Sequence, residues 1–359
     1  MGCKKSKQQV NYLQYNIENP TTFEDLSNEV IYELFDYLSY YDITCAFGKL
    51  NERLQHLIDT YSHYVNLQQH TKADTHIFPQ FIYSLRISAS YQFSFIDFSC
   101  LSSVHNLILS NLSVTSLLYI FNTLSLKNLE YIYVSSCPLH NFNKAQLGEV
   151  QTKILSLGEF KLKKCVFRME LYANIDMLPA QLYSLEYIRI GGCKNILTIN
   201  SLLDRMPNLI SFHVFICESL QPGVNINKYA KRNDRIHCLT NLTLRVYDLK
   251  SKDELTILFT RHCSNVKKLI IYLEPMDIYG LSFLDEKPDD PVKHLQQWVR
   301  STISPLLPQL TNFHLRQTIL REDDKPFKRR RPPYIKEIPC LFQNRSYRVS
   351  IDSHLKYLW

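Results

Sequence analysis

The sequence is poor in glycine. Only eight occur in 359 residues, at positions 2, 48, 148, 158, 191, 192, 223 and 280, and no two of them are separated by one, three or four residues. The glycine spacings of G-x-G-x-x-G, G-x-x-x-x-G-K and G-x-S-x-G therefore cannot occur, so dinucleotide-binding, P-loop and serine-hydrolase readings lose their usual support. No apolar run approaches the roughly 18–20 residues a membrane span needs. Lys residues near the start are followed by no apolar core, so no secretory signal is expected. H-E-x-x-H and C-x-x-C are both absent. No carboxylate pair stands out as an acid–base couple.

What is present is ordinary soluble composition, with 45% hydrophobic and 21% charged residues. The net charge of +7 is spread along the chain, apart from the first seven residues and the run Lys328-Arg329-Arg330-Arg331. This distribution gives no footprint for nucleic acid. Ten cysteines without a secretory signal point to a reducing compartment and free thiols.

The chain starts Met1-Gly2-Cys3-Lys4-Lys5-Ser6-Lys7, which fits the myristoylation pattern at Gly2. It is similar to the start of Src-type kinases, where the neighbouring Cys is palmitoylated. One acyl chain holds a bilayer only marginally, and Cys3 and the three lysines offer the second signal that stable anchoring needs. Residues 8–22 read as a polar linker. A cytoplasmic location is expected, membrane-associated through Gly2 and Cys3 if acylated. The basic run at 328–331 leaves the nucleus open.

Residues 23–62 predict three short helices. Ser27 is the expected N-cap of the first, with Glu29 in its first turn. Val30, Leu34 and Leu38 recur every four residues, and Ile31 and Phe35 form an adjacent row, so the apolar arc is wider than one neighbouring helix needs. Asp42 is expected to cap a second helix carrying Ile43, Ala46, Phe47 and Leu50. Leu50, Leu54, Leu57 and Ile58 give the third its spacing. About 40 residues bury little surface alone, so a partner is expected to complete the unit. The pattern formed by Leu26, Glu29, Val30, Leu34, Leu38, Asp42, Ile43 and Phe47 resembles an F-box. Ser27 stands where that family has Pro, and the region Asn51–Leu54 lacks its usual Trp. The resemblance implies docking on the Skp-type adaptor, and through it a cullin, with Leu26, Val30, Ile31, Leu34, Leu38, Asp42 and Ile43 as contact residues. Residues 63–81 read as a connector.

From residue 82 the pattern apolar-x-x-apolar-x-apolar recurs nine times, starting at 82, 104, 129, 162, 185, 209, 239, 266 and 310. Most intervals lie in or near 20–29 residues, the period of leucine-rich repeats. A further apolar residue usually lies three positions before each start, as at Leu101, Leu126, Leu182, Met206, Ile236, Cys263 and Leu307. Three units carry cysteine three positions after the last apolar site: Cys137, Cys193 and Cys217. These units resemble cysteine-containing leucine-rich repeats. Helices are expected at 115–124, 252–263 and 292–303. The fold class is α/β: a short all-helical F-box head followed by a repeat solenoid over 82–316, with a parallel β-sheet on its concave face. Residues 317–359 form a basic loop and extension. Insertions are expected at 138–161, 218–236, 273–291 and 317–340.

The cysteines at repeat positions read as buried structural thiols. The pairs His237-Cys238 and His262-Cys263 fall at different phases of the repeat and are not expected to share an ion. His56, His63 and His70 read as surface or interface residues. No metal site and no cofactor are expected.

Strand alternation places Tyr131, Tyr133, Tyr187, Arg189, His213, Phe215, Arg245 and Tyr272 on the open face, with His314 and Arg316 further along. These are residue types enriched at binding hot spots, and they are the candidate substrate contacts. The functional expectation is a non-enzymatic substrate-recognition adaptor of an SCF-type ubiquitin ligase. The alternative is a repeat scaffold outside any ligase, tethered to a membrane by its N-terminus.

Overall fold

The computed structural model describes residues 23–38, 40–61, 63–66, 82–88, 103–124, 126–136, 143–217, 238–246, 252–273, 297, 301, 303–318, 336–342 and 345–352. Gly2, Cys3, Cys137, His237 and the basic run at 328–331 lie outside them, as do the expected insertion at 218–236, all of that at 273–291 after Leu273, and nearly all of the expected helix at 292–303. The chain divides into two units, residues 1–61 and 62–359.

The described residues of the first unit hold three α-helices, α1 (Asn28–Asp36), α2 (Tyr40–Phe47) and α3 (Glu52–Thr60). Its core consists of Ile31, Phe35, Ile43, Leu54, Leu57 and Ile58, with Phe23, Leu26, Leu38, Phe47 and Tyr61 packed against it. Aromatic rings close this small core: Phe23 stacks on Phe47 at 4.9 Å, and Tyr61 meets Phe35 edge-on at 5.4 Å. Arg53, in the stretch that lacks tryptophan, ties α3 to the start of α1 by donating to the Leu26 carbonyl at 2.6 Å and to Asn28 Oδ1 at 2.7 Å.

The cap expectations need correction. Ser27 occupies the N-cap position, but its side chain accepts no backbone hydrogen bond. Backbone and Ser27 hydroxyl hydrogen bonds to Glu29 instead lower that carboxyl's pKa. Asp42 lies inside the first turn of α2, which begins at Tyr40. Leu50 precedes α3 and is exposed. Asn51 caps that helix, accepting from Leu54 N at 2.8 Å.

In the second unit, twelve strands among the described residues form one sheet. They are β1 (His63–Asn66), β2 (Ile82–Ser88), β3 (Asn106–Leu112), β4 (Tyr131–Ser136), β5 (Lys164–Glu170), β6 (Tyr187–Cys193), β7 (Ser211–Ile216), β8 (Asn241–Val246), β9 (Lys268–Leu273), β10 (Asn312–Thr318), β11 (Lys336–Phe342) and β12 (Arg345–Asp352). Strands β1 to β10 pair in chain order, every pair parallel. Strand β12 joins β10 in parallel, and β11 closes the edge antiparallel to β12.

The nine sequence repeats correspond to β2–β10, and their first strand positions share one register row: Leu85, Leu107, Ile132, Cys165, Ile188, Phe212, Leu242, Leu269 and Phe313. Each is at most 1% exposed. The starts repeat as well. The carbonyls of His105, Glu130, Lys163, Glu186, Ile210, Thr240 and Lys267 each accept two successive N–H groups from the next strand. A backbone arrangement recurring at this interval, beneath an invariantly apolar row, gives the sheet its uniform register.

Among the described residues, four longer helices accompany the strands: α4 (Val114–Thr123), α5 (Lys144–Ser156), α6 (Ile196–Leu203) and α7 (Lys252–His262). The capped ones begin at short polar residues. Ser113, Asn143 and Asn195 accept N–H groups from the first turns of α4, α5 and α6. Helices α4 and α7 match their expected spans to within a residue or two. The stretch 138–161 is not merely an insertion: α5 occupies most of it and buries Leu147, Val150, Ile154 and Leu155. The connector and the C-terminal extension contain β1, β11 and β12.

Candidate functional site

Each unit presents a surface of its own. On the helical unit, α1 divides its apolar residues between two faces. Ile31 and Phe35 are at most 1% exposed, whereas Val30 is 45% exposed and Leu34 36%. Tyr37 and Leu50 are exposed further along. Of the expected contact residues, Ile31 and Ile43 are buried in the unit's own core. Leu26 and Leu38 are half-buried against that core, and Asp42 is exposed. Val30 and Leu34 are the apolar contact residues left facing outward.

On the sheet unit, the face opposite the buried rows carries all eight expected substrate residues. Tyr131 and Tyr187 share one register row with Lys164, Ser211 and Lys268. Tyr133, Arg189 and His213 share the next with Thr243 and His314. Phe215, Arg245 and Tyr272 align on a third, with Arg316 at the same register. The rings are half-buried and engage one another. Tyr187 and His213 lie 5.3 Å apart, the Arg168 guanidinium stands 5.9 Å above Tyr133, and that of Arg245 stands 5.4 Å above Phe215. His213 Nε2 lies 3.2 Å from Ser211 Oγ. Burial, then the positive charges of Arg189 and Lys268, hold the His213 imidazole below its ordinary pKa. Burial and the neighbouring phenols Tyr133 and Tyr187 raise that of Tyr131.

A third feature escaped the sequence reading. At the starts of β4–β8, a groove of about 590 Å³ is lined by Glu130, Phe160, Lys163, Tyr183, Glu186 and Ile210, among others. Phe160 is 72% exposed and Tyr183 57%. Both lie two residues before a repeat start, outside the positions that strand alternation samples. Charges here are mixed in sign: Lys163 bonds Glu130 at 2.9 Å, which lowers the pKa of the Glu130 carboxyl.

Of the described repeat cysteines expected to be buried, Cys165 and Cys193 are, whereas Cys217 is half-buried. Cys165, Cys193 and Cys263 are fully buried, and Cys217 N donates to the Cys193 carbonyl at 2.9 Å across successive strand ends. Burial raises the Cys165 and Cys263 thiols well above their ordinary range and Cys193 to about 12. His262 is buried, with Asp204 at 3.8 Å. Among the described residues no group of three His, Cys, Asp or Glu is arranged to hold a metal ion, and no helix is long and apolar enough to cross a membrane.

No known protein family matches the chain, and no curated protein matches its sequence.

Proposed function

We propose that this chain is the substrate-recognition adaptor of an SCF-type cullin–RING ubiquitin ligase. Residues 23–62 act as the F-box and dock on the Skp-type adaptor. The sheet unit, a leucine-rich-repeat solenoid in this reading, holds the protein substrate on its open face. The chain itself performs no chemistry; it raises the effective concentration of substrate lysines near the conjugating enzyme.

The observation that carries the reading is the division of α1. A three-helix unit with its own closed core leaves Val30 and Leu34 outside that core, adjacent on one helix face. An amphipathic helix with a surplus apolar row suits a groove on a partner. The open face, rich in Tyr and Arg, supports the second half of the reading.

The test is co-purification. Tagged full-length chain expressed in cells should recover the Skp-type adaptor and a cullin. Val30→Asp plus Leu34→Asp should abolish both recoveries while leaving the protein folded. Recovery of other proteins but of neither ligase subunit would favour the scaffold alternative.

A further inference from the structure

The charges of the sheet unit are sorted by sign. The two open-face rows that run through β2–β10, from Ser84 to Asn312 and from Arg86 to His314, contain no Asp or Glu among their described residues. They contain four cations, Arg86, Lys164, Arg189 and Lys268, and Arg168 and Arg245 add two more beside them. Carboxylates of the same strands and their flanks lie elsewhere. Glu130 and Glu186 line the groove at the strand starts, among lysines. Glu170 follows the irregularity at the end of β5 and accepts the Tyr172 hydroxyl. Charge is thus mixed at the strand starts and of one sign along these two rows. His213 lies within this row, where burial first, and then the charges of Arg189 and Lys268, hold its imidazole below the ordinary pKa.

The rings indicate which kind of anion this face suits. Single-stranded nucleic acid binds by stacking its bases on open aromatic faces. Here ring faces are already engaged: Tyr133 by Arg168, Phe215 by Arg245, and Tyr187 and His213 by each other. Rings engaged in this way favour recognition of carboxylates by the neighbouring cations over stacking of bases.

We propose that the open face is a binding site for an acidic polypeptide segment lying across the strands, its carboxylates or phosphates held by Lys164, Arg189 and Lys268, with Arg168 and Arg245 flanking. Lys164 on β5 and Lys268 on β9 are four strand spacings apart, about 19 Å at ~4.8 Å per strand, which an extended chain spans in about six residues. The site rests on the recognition reading above only in naming its occupant a substrate.

The experiment is fluorescence anisotropy with full-length protein and four labelled probes: a ten-residue alternating Glu–Ser peptide, the same peptide phosphorylated on serine, its Lys–Ser counterpart, and a ten-nucleotide RNA. The acidic peptides should bind saturably and more weakly as salt rises. Arg189→Glu plus Lys268→Glu should weaken binding at least tenfold, and the milder Arg189→Gln plus Lys268→Gln should weaken it in the same direction with an unchanged melting temperature. An equal charge change off the face, Lys127→Glu plus Lys153→Glu, should alter it less than twofold. Stronger binding of the phosphorylated peptide assigns the site to modified segments, and equal binding assigns it to carboxylates. Absence of saturable acidic binding, equal binding of the Lys peptide or RNA, or equal loss in the off-face variant would overturn the proposal. Recovery of the Skp-type adaptor, measured on the same variants, separates the two claims: peptide binding without adaptor recovery refutes only the ligase reading, and the converse refutes only the acidic site.

Discussion

Replacing Gly148 by alanine sets two effects of opposite sign against each other. Gly148 is buried in the middle of α5, and on helix propensity alone alanine there should stabilise by about 1 kcal/mol. An added Cβ, however, would stand 2.5 Å from the Tyr172 carbonyl oxygen and 3.2 Å from its carbon. That backbone is not free to retreat. Gln151 donates to the Glu170 carbonyl at 2.9 Å and accepts from Tyr172 N at 2.7 Å, Leu171 N donates to the Gly192 carbonyl at 2.7 Å, and Asn174 N donates to Thr152 Oγ1 at 3.0 Å. Overpacking typically costs about 1–3 kcal/mol, and each hydrogen bond stretched by retreat puts about 1 kcal/mol more at risk. The clash should win, leaving a net loss of about 1–3 kcal/mol. For a unit of this size that is a fall in melting temperature of roughly 2–10 °C. Differential scanning calorimetry reads it directly, with Glu149→Ala on the exposed side of the same turn as the control, expected to change stability by less than about 0.5 kcal/mol. A Gly148→Ala protein that melts at or above the parent temperature would refute the close approach of α5 to the 170–172 backbone.

Other predictions follow from the same geometry. In the helical unit, Ile31→Ala should cost about 2–5 kcal/mol of stability and Leu34→Ala less than about 1, since one is core and the other is not; urea unfolding of the full chain separates them. Asn195→Ala removes the acceptor for Leu197 N and Thr198 N, both at 3.1 Å, and should cost about 1 kcal/mol in the same assay. Native protein should lose the exposed thiols Cys45 and Cys238 to a maleimide within minutes, while Cys165, Cys193 and Cys263 should react only on unfolding; early labelling of the buried three, followed by mass spectrometry, would contradict the packing. His213 should titrate by NMR below the ordinary histidine value, and Lys268→Gln should raise it. Because its folded pKa is depressed, its contribution to stability is present above the unfolded value and is lost as pH falls below it.

Nine strands were legible because their signal is redundant. Each pairs two inward positions with an apolar residue three places earlier, so one odd residue, such as Cys165 in β5, does not obscure the register. The eight open-face residues followed from strand alternation alone. Other elements lacked such redundancy. Helix α6 spans only eight residues, too few for the Ile196, Ile199 and Leu203 spacing to stand out, and α5 lay within an interval that looked like an inserted loop although Leu147, Val150 and Ile154 carry helical spacing. Strand β11 contains Pro339, which argues against a central strand, but β11 lies at the sheet edge, where the missing N–H is tolerated. On α1 the spacing showed two adjacent apolar rows but not which one faced inward. That choice depends on α2 and α3, whose Ile43, Leu54 and Leu57 meet Ile31 and Phe35 rather than Val30 and Leu34. The exposed Phe160 and Tyr183 were not legible because they precede the strands, where no simple period applies.

The measurement that bears most directly on the ligase reading is isothermal titration of purified full-length chain with purified Skp-type adaptor. A saturable one-to-one complex is expected, weakened about a hundredfold or more by Val30→Asp plus Leu34→Asp and unchanged by Arg189→Glu plus Lys268→Glu on the sheet. No heat of binding at tens of micromolar protein, or binding indifferent to the α1 substitutions, would contradict it.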